Sequence, residues 1–237
     1  MARTPVWKSI AATIGDEIAK GHYGPGDKLP TEAALSARFG VNRHTVRHAL
    51  SDMAERGLVR ARRGAGVFVE AEPTDYPIGR RVRFHQNIRA SGRLPQKAVL
   101  RIEERGADLS EAAALEIAQG APVIVYEGLS FSEGTPIAHF ISVFPKAPVP
   151  GLAATLGEVT SVTEALVRNG IDDYVRAETR ISVDHASATQ AIHLRIGSGD
   201  AVLKSVGINR TEGGLPIEYG TTWFAGDKVT LTVAPDS

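Results

Sequence analysis

The chain contains no cysteine, which excludes disulfides and thiolate metal sites and fits a reducing compartment. It also has no apolar run near the roughly 18 residues that a membrane-spanning helix needs. The opening stretch MARTPVWKSI lacks the long apolar segment and small-residue cleavage site of a secretory signal. A cytoplasmic address is therefore expected. Net charge is missing too, because 27 Lys and Arg balance 27 Asp and Glu. What remains is a chain of 237 residues, 43% hydrophobic and 23% charged, a composition that is neither disordered nor fibrous. Its length suits two domains or one large one.

The zero total conceals an asymmetry. Residues 1 to 70 hold 11 Lys and Arg against 7 Asp and Glu, and the remainder holds 16 against 20. A basic N-terminal third on an otherwise acidic chain suggests that this part alone meets a polyanion, although cations on a solvated surface have the same composition.

Trp7, Ile10, Ile14 and Ile18 recur at helical intervals and predict a first helix over about residues 5 to 20. Gly21, Gly24, Pro25 and Gly26 end it. In LPTEAALSARFG, Thr31 is placed to cap a short second helix, with Leu35 and Phe39 on one face and Gly40 as its stop. After the Gly40-Val41 turn, Asn42 suits the cap of a third helix. Val46, Leu50 and Met53 turn inward from it, and Gly57 ends it. Two helices joined by so short a turn read as a helix-turn-helix.

Arg43, His44, Arg47 and His48 are then left to project from the first turns of the third helix. The N-terminal residues of that helix reach base edges in such motifs, where arginine bonds guanine O6 and N7 with two donors. Thr45 suits a phosphate or a thymine methyl, and Asn42 has an amide beyond its cap. Next, Leu58 to Ala61 and Val67 to Val69 read as strands joined by Arg62-Arg63-Gly64-Ala65-Gly66. The cations and glycines of this wing suit a minor groove or phosphates. A small helical bundle with a solvated basic side fits the same residues.

The segments PGDKLPTEAAL, RFGVNRHTVRHAL and GLVRARRGAGVFV, within residues 6 to 69, resemble the winged helix-turn-helix of the GntR family of bacterial transcription regulators. The resemblance implies DNA contacts at Thr31, Asn42, Arg43, Thr45, Arg47 and Gly64, to which the helix and wing chemistry adds His44, Arg62 and Arg63. The chain departs from the family at Ala33, where members often carry arginine, and at Asn42, usually Ser or Thr. The operator is therefore not carried over from relatives.

This module is expected over residues 1–70, followed by an extended linker over 71–77 that is rich in proline and acid, and a second domain over 78–237. That domain holds an internal repeat. Leu115, Ile117, Gly120, Val123, Gly128, Glu133 and Gly134 match Leu194, Ile196, Gly199, Val202, Gly207, Glu212 and Gly213. After one inserted glycine, Pro136, Ile137 and Phe144 match Pro216, Ile217 and Phe224. Each copy reads as a helix end followed by a hairpin, so an α+β domain with pseudo-symmetry around an antiparallel sheet is expected. The returning strands differ, with Glu218, Tyr219, Thr221 and Thr222 where the first copy has Ala138, His139, Ile141 and Ser142. Both a pocket lining and a sheet with one wet face fit this pattern.

Upstream, GRRVRFHQNIRASG places Arg80, Arg81 and Arg83 before a helix predicted to begin near Phe84. Free N–H groups at a helix start, flanked by arginines, attract anions; a surface cluster facing the acidic excess is the alternative. Arg180 adds a cation in the strand-like VRAETRISV. Residues 76 to 234 resemble the UTRA effector domain of the HutC branch of the GntR family, whose fold is like that of chorismate lyase. RRVRFHQN and ETRIS are most similar to the phosphonate-utilisation repressors of that branch. The resemblance implies an effector site whose anionic head lies near Arg81, Arg83, His85, Gln86, Asn87 and Arg180, with Glu218 and Tyr219 across the pocket. UTRA domains that bind sugar phosphates often carry arginines where this chain has Glu127-Gly128-Leu129-Ser130, so a phosphonate, phosphate or related small anion is preferred.

Three functions compete. A homodimeric regulator, released from or tightened on operator DNA by a small anion, accounts for both modules, and repression is the family expectation. A HutC-type response to a sugar phosphate or an amino-acid catabolite is the variant of this reading. A lyase-like enzyme has only the fold in its favour. No nucleophile with base and orienter and no phosphate-cradling loop is present, and His185 and His193 have no ligand-spaced partner. Neither cofactor nor metal is expected. An architectural DNA-binding protein without an effector leaves the long second domain unexplained.

Overall fold

The computed structural model describes residues 5–62, 64–70, 73–79, 84, 88 and 94–233. The chain divides into two compact units, Met1–Glu72 and Pro73–Ser237.

In the first unit, α1 (Val6–Ala19), α2 (Glu32–Phe39) and α3 (Arg43–Glu55) surround one aliphatic core, followed by the strands β1 (Val59–Arg62) and β2 (Gly66–Val69). Ile10 and Ile14 of α1, Leu35 of α2, and Val46, Leu50 and Met53 of α3 bury against one another, each contributing about 1.5 to 3 kcal/mol relative to exposure. The helix ends follow their capping residues. Thr31 Oγ1 accepts from Ala34 N at 3.2 Å, and Asn42 Oδ1 accepts from Thr45 N at 2.9 Å; loss of such a cap typically costs about 1 kcal/mol. Gly40 closes α2 in the left-handed region at φ 63°, a conformation open to glycine at little cost. The wing pairs antiparallel from Val59 with Val69 to Arg62 with Gly66. Leu29 N donates to Val67 O at 2.8 Å, which ties the segment before α2 to the wing.

The second unit begins earlier than the expected linker allows. Residues Thr74–Pro77 form β3, which pairs in parallel with β10 (Val229–Thr232). An extended linker over 71–77 is thus corrected to a shorter one, because alternation of Thr74 and Tyr76 gives this stretch a buried side.

The remaining strands form one antiparallel sheet in the order β4-β5-β6-β9-β8-β7. Here β4 is Pro95–Gly106, β5 Pro122–Ser132, β6 Thr135–Pro145, β7 Tyr174–His185, β8 Ala201–Thr211 and β9 Pro216–Ala225. Helix α4 (Leu109–Leu115) lies between β4 and β5, and α7 (Ala188–Leu194) between β7 and β8. The repeat read from the sequence is therefore a strand, helix and hairpin used twice, and the two returning strands β6 and β9 pair at the centre. The likeness extends to the caps. Asp108 with Glu111, and Ser187 with Gln190, make matching capping boxes, which satisfy exposed N–H groups reciprocally.

The sheet buries both faces. Leu115, Val123, Val125 and Val143 meet α4 on one side, and Leu194, Val202 and Ala225 meet α7. On the other side Ile124, Tyr126, Phe140 and Phe144 pack under α5 (Leu152–Glu158) and α6 (Val162–Arg168). Near the β3 and β10 pair this second layer leaves a cavity.

Candidate DNA interface and candidate effector pocket

The outer side of α3 is separated from its core side by helical periodicity alone. Val46, Ala49, Leu50 and Met53 are buried, and Arg43, His44 and Arg47 are exposed. Asn42 Oδ1 also accepts from Thr45 Oγ1 at 3.0 Å, so the cap orients the threonine as well as the helix start. Arg47 is not loose. Its Nε donates to Glu32 Oε1 at 3.0 Å and its Nη2 to Glu32 Oε2 at 2.7 Å, which holds the Glu32 carboxyl below the usual carboxylate range. This bidentate pair occupies one edge of the guanidinium and leaves Nη1 and the outer hydrogen of Nη2 for a partner beyond the protein.

In the wing, Arg62 stacks over the Phe68 ring at 4.3 Å, and Gly64 turns the tip at φ 75° with open space where a Cβ would stand. Thr31, Asn42, Arg43, His44, Thr45, Arg47, Arg62 and Gly64 all belong to this one unit; Arg63 lies outside the described residues. The expectation that no histidine sits in an H-x-x-x-H arrangement is corrected, since His44 and His48 stand four apart on α3. The His48 ring is stacked on Trp7 at 4.3 Å, and no group of three or more ligand side chains is placed for a metal among the described residues.

The cavity of the second unit has a volume of about 350 Å³. Its floor is the sheet face bearing Ser130, Phe140, Ser142, Ser205, Glu218 and Thr222, and its rim includes Tyr76, Ile78, Phe84, Ser161 and Thr163. Two cations enter it from opposite edges of the sheet. Lys97 on β4 pairs across to Ser130, and Arg176 on β7 pairs across to Asn209. The spacing that separates Leu115 from Leu194 also separates Lys97 from Arg176 and Ser130 from Asn209. The cations thus hold equivalent places in the two copies, and the pocket straddles the pseudo-symmetry axis.

Their environments differ. The Lys97 ammonium lies 4.5 Å from the Phe140 ring centre, 5.4 Å from Phe84 and 5.7 Å from Tyr126, an aromatic cage that favours a cation. The residue as a whole is half-buried. Burial pushes its pKa down to about 8 against the pull of the Glu218 carboxylate. Arg176 lies across Gly207, where a Cβ would fall 1.5 Å from its Nη1. At the equivalent Gly128, a Cβ would meet Phe140 of the cage at 2.8 Å. The matched glycines of the repeat therefore make room for one cation and for the ring that holds the other.

Arg176 Nε donates to Asn209 Oδ1 at 2.8 Å, and Asn209 Nδ2 donates to Glu218 Oε2 at 2.6 Å. Ser142 Oγ donates to Glu218 Oε1 at 2.6 Å. Within the described residues, the Lys97 ammonium and both Nη groups of Arg176 make no hydrogen bond. Two charged donors therefore face the cavity with capacity for an acceptor.

Two expectations are corrected. Arg180 is 80% exposed, pairs with Glu178 and does not line the pocket. The cause is a bulge between Arg176 and Glu178, which inserts a residue and reverses the side on which the following residues fall. Glu218 lines the pocket, whereas Tyr219 packs against the α4 core, because neighbours on a strand face opposite ways. Glu127 and Ser130 separate likewise: Ser130 lines the pocket, while Glu127 Oε1 meets His139 Nε2 at 2.9 Å on the far face.

Arg81, Arg83, His85, Gln86 and Asn87 lie outside the described residues; Phe84 in their midst lines the pocket. Lys97 and Arg176 were absent from the expected set. Extending the repeat upstream of Leu115 aligns them and is the signal that finds them.

Residues 7–69 match the family model of bacterial regulatory proteins, gntR family, and residues 90–230 match the UTRA domain. A helix-turn-helix-type transcriptional regulator of Rhizobium meliloti is 37% identical over 229 residues, which cover 96% of this chain and 94% of that protein. A protein of Escherichia coli described as the transcriptional regulator PhnF is 32% identical over 237 residues, at 96% and 94% coverage. Among solved structures, PhnF from Mycobacterium smegmatis matches with a TM-score of 0.67 at 24% identity over 96% of this chain and 99% of that one, a likeness of fold.

Proposed function

Because the chain belongs to the GntR family of bacterial regulatory proteins and carries the UTRA domain of its HutC branch, we propose that it is a homodimeric cytoplasmic repressor. In this reading its winged units hold operator half-sites, and a small phosphonate, phosphate or related anion bound between Lys97 and Arg176 controls them. The observation that carries the effector class is a pair of cations in one hydroxyl-lined cavity, where among the described residues the Lys97 ammonium and both Nη groups of Arg176 make no hydrogen bond. An oxyanion accepting from both would satisfy the donors that each leaves over.

On the DNA side, Arg43 and Arg47 enter the major groove and read bases, while Thr31, Asn42, His44, Thr45, Arg62, Arg63 and Gly64 fix the register on phosphates and the groove edge. Two copies on a near-palindromic site match two-fold protein symmetry and raise affinity through effective concentration. Control requires that the anion bind one DNA-binding state better than the other. Operator DNA then changes anion affinity by the same factor.

Calorimetry of the full chain with methylphosphonate, inorganic phosphate and a hexose phosphate tests the reading, together with fluorescence anisotropy on labelled promoter DNA. Binding of a small phosphonate or phosphate that shifts operator affinity is expected. Absence of binding by all three anions, or an Arg176→Gln variant that binds them as the natural chain does, would overturn it.

A further inference from the structure

The two halves of the pocket each supply a cation and differ elsewhere, with Asn209 for Ser130, Gly220 for Phe140 and Glu218 for Ala138; of these differences only Glu218 adds a charge. Glu218 projects into the cavity from β9, whereas the equivalent position of the first copy is Ala138. Among the described residues the carboxylate makes no direct ion pair, and it acts on Lys97 only through space. Both of its oxygens accept instead from neutral donors, Ser142 and Asn209. Its negative charge is thus held in place on the wall, facing the cavity. Asn209 joins Arg176 to Glu218 through a single amide, so a fixed guanidinium and a fixed carboxylate stand one side chain apart.

A simple dianion between Lys97 and Arg176 gains from both cations and is opposed by Glu218. A ligand that also carries a cation on the Glu218 side gains from all three groups. We propose that the effector is an anion with an ammonium group on a short alkyl tether, the oxyanion end received by Lys97 and Arg176 and the ammonium end by Glu218. Tyr76, Ile78, Phe84 and Phe224 supply apolar wall for the tether. This assignment rests on the pocket being the effector site and adds a second recognition point to it. It also orients the ligand, because the acid occurs in one copy only.

The test is calorimetry of the full-length protein with aminopropylphosphonate, propylphosphonate and propylamine. Aminopropylphosphonate is expected to bind roughly tenfold or more tightly than propylphosphonate, the effect of one charge-assisted hydrogen bond in an enclosed site. Propylamine alone is expected to bind far more weakly than either. Glu218→Gln keeps the shape and removes the charge, so it should weaken aminopropylphosphonate, strengthen propylphosphonate and bring their ratio close to one. Thermal unfolding checks that the variant is folded, and Ser142→Ala, which loosens the carboxylate without removing it, should narrow the ratio part-way. Equal affinity of the two phosphonates for the natural chain, or equal weakening of both by Glu218→Gln, would overturn the ammonium assignment and leave the anion pocket standing. Failure of both phosphonates to bind would remove the pocket reading as well.

Discussion

The cations of the first unit and those of the second are held under opposite conditions. Arg43 and Arg47 stand in solvent on one helix, four residues apart; Lys97 and Arg176 come from far-separated strands and line one cavity. Charge in water is maintained at little cost and acts over distance on a polyanion until salt screens it. Charge in an enclosed site is costly, responds to pH, and is satisfied only by a ligand of the right shape. One chain thus contains a surface suited to a long polymer and a pocket suited to a small ion.

The contrast breaks most sharply at Arg176. Arg176→Gln should lower anion affinity by about a hundredfold, as expected when one partner of an enclosed charge pair is lost, with operator affinity in the absence of effector unchanged. Calorimetry and anisotropy on the same sample measure the two. At the other surface, Arg47→Ala should lower operator affinity by about ten- to a hundredfold and flatten the preference among base substitutions at one position of each half-site. Competition with scrambled duplex at fixed salt measures this; an equal loss on both duplexes would remove Arg47 from base reading.

A pH titration sharpens the difference further. The Lys97 pKa of about 8 lies below that of an ordinary lysine, and only its protonated form attracts an anion. For an anion whose own charge is constant in this range, such as sulfate, affinity should therefore be full below about pH 7 and fall as pH rises through 8, by at most about tenfold per unit. Binding should also take up a proton in that window, because the anion raises the lysine pKa. A Lys97→Met variant should lose this slope. DNA affinity should show no inflection near pH 8, since the arginines of α3 do not titrate there.

Gly207→Ala should produce a smaller effect. The added methyl displaces the Arg176 guanidinium and should weaken the anion severalfold while Arg176 itself is retained; unchanged binding would mean that this rotamer is not the one that binds. Glu32→Gln should have the least effect. With the bidentate anchor weakened, Arg47 keeps its charge but loses its fixed orientation, so specific affinity should drop a few-fold and non-specific affinity rise slightly.

How far each region could be read from the sequence follows the same division. Thr31, Asn42, Gly40 and Gly57 mark the helix ends by local hydrogen-bond and dihedral requirements, and each acts on its own few neighbours. The exposure of Arg43, His44 and Arg47 follows from the same short-range periodicity. The internal repeat revealed the doubled hairpin architecture, since paired glycines and apolar positions at constant spacing reflect one supersecondary unit used twice. The partner of Arg47 was not legible, because Glu32 lies on another helix.

The pocket was partly misread for two identifiable reasons. Arg180 follows a bulge that no residue type announces, and one inserted position turned it outward. Tyr219 was grouped with Glu218 by proximity in the chain, although a strand sends such neighbours to opposite faces.

Everything that depends on a residue and its near neighbours was settled in the linear chain: the three helices with their caps, the wing, the duplicated unit and the sign of charge along α3. The sheet settled which of many arginines and lysines lose water, and which face each strand residue takes after a bulge. Solvation and register are properties of the assembled fold. Lys97 and Arg176 come to line one cavity only once β4 and β7 stand at opposite edges of one sheet built from the unit used twice, with Glu218 on a strand between them.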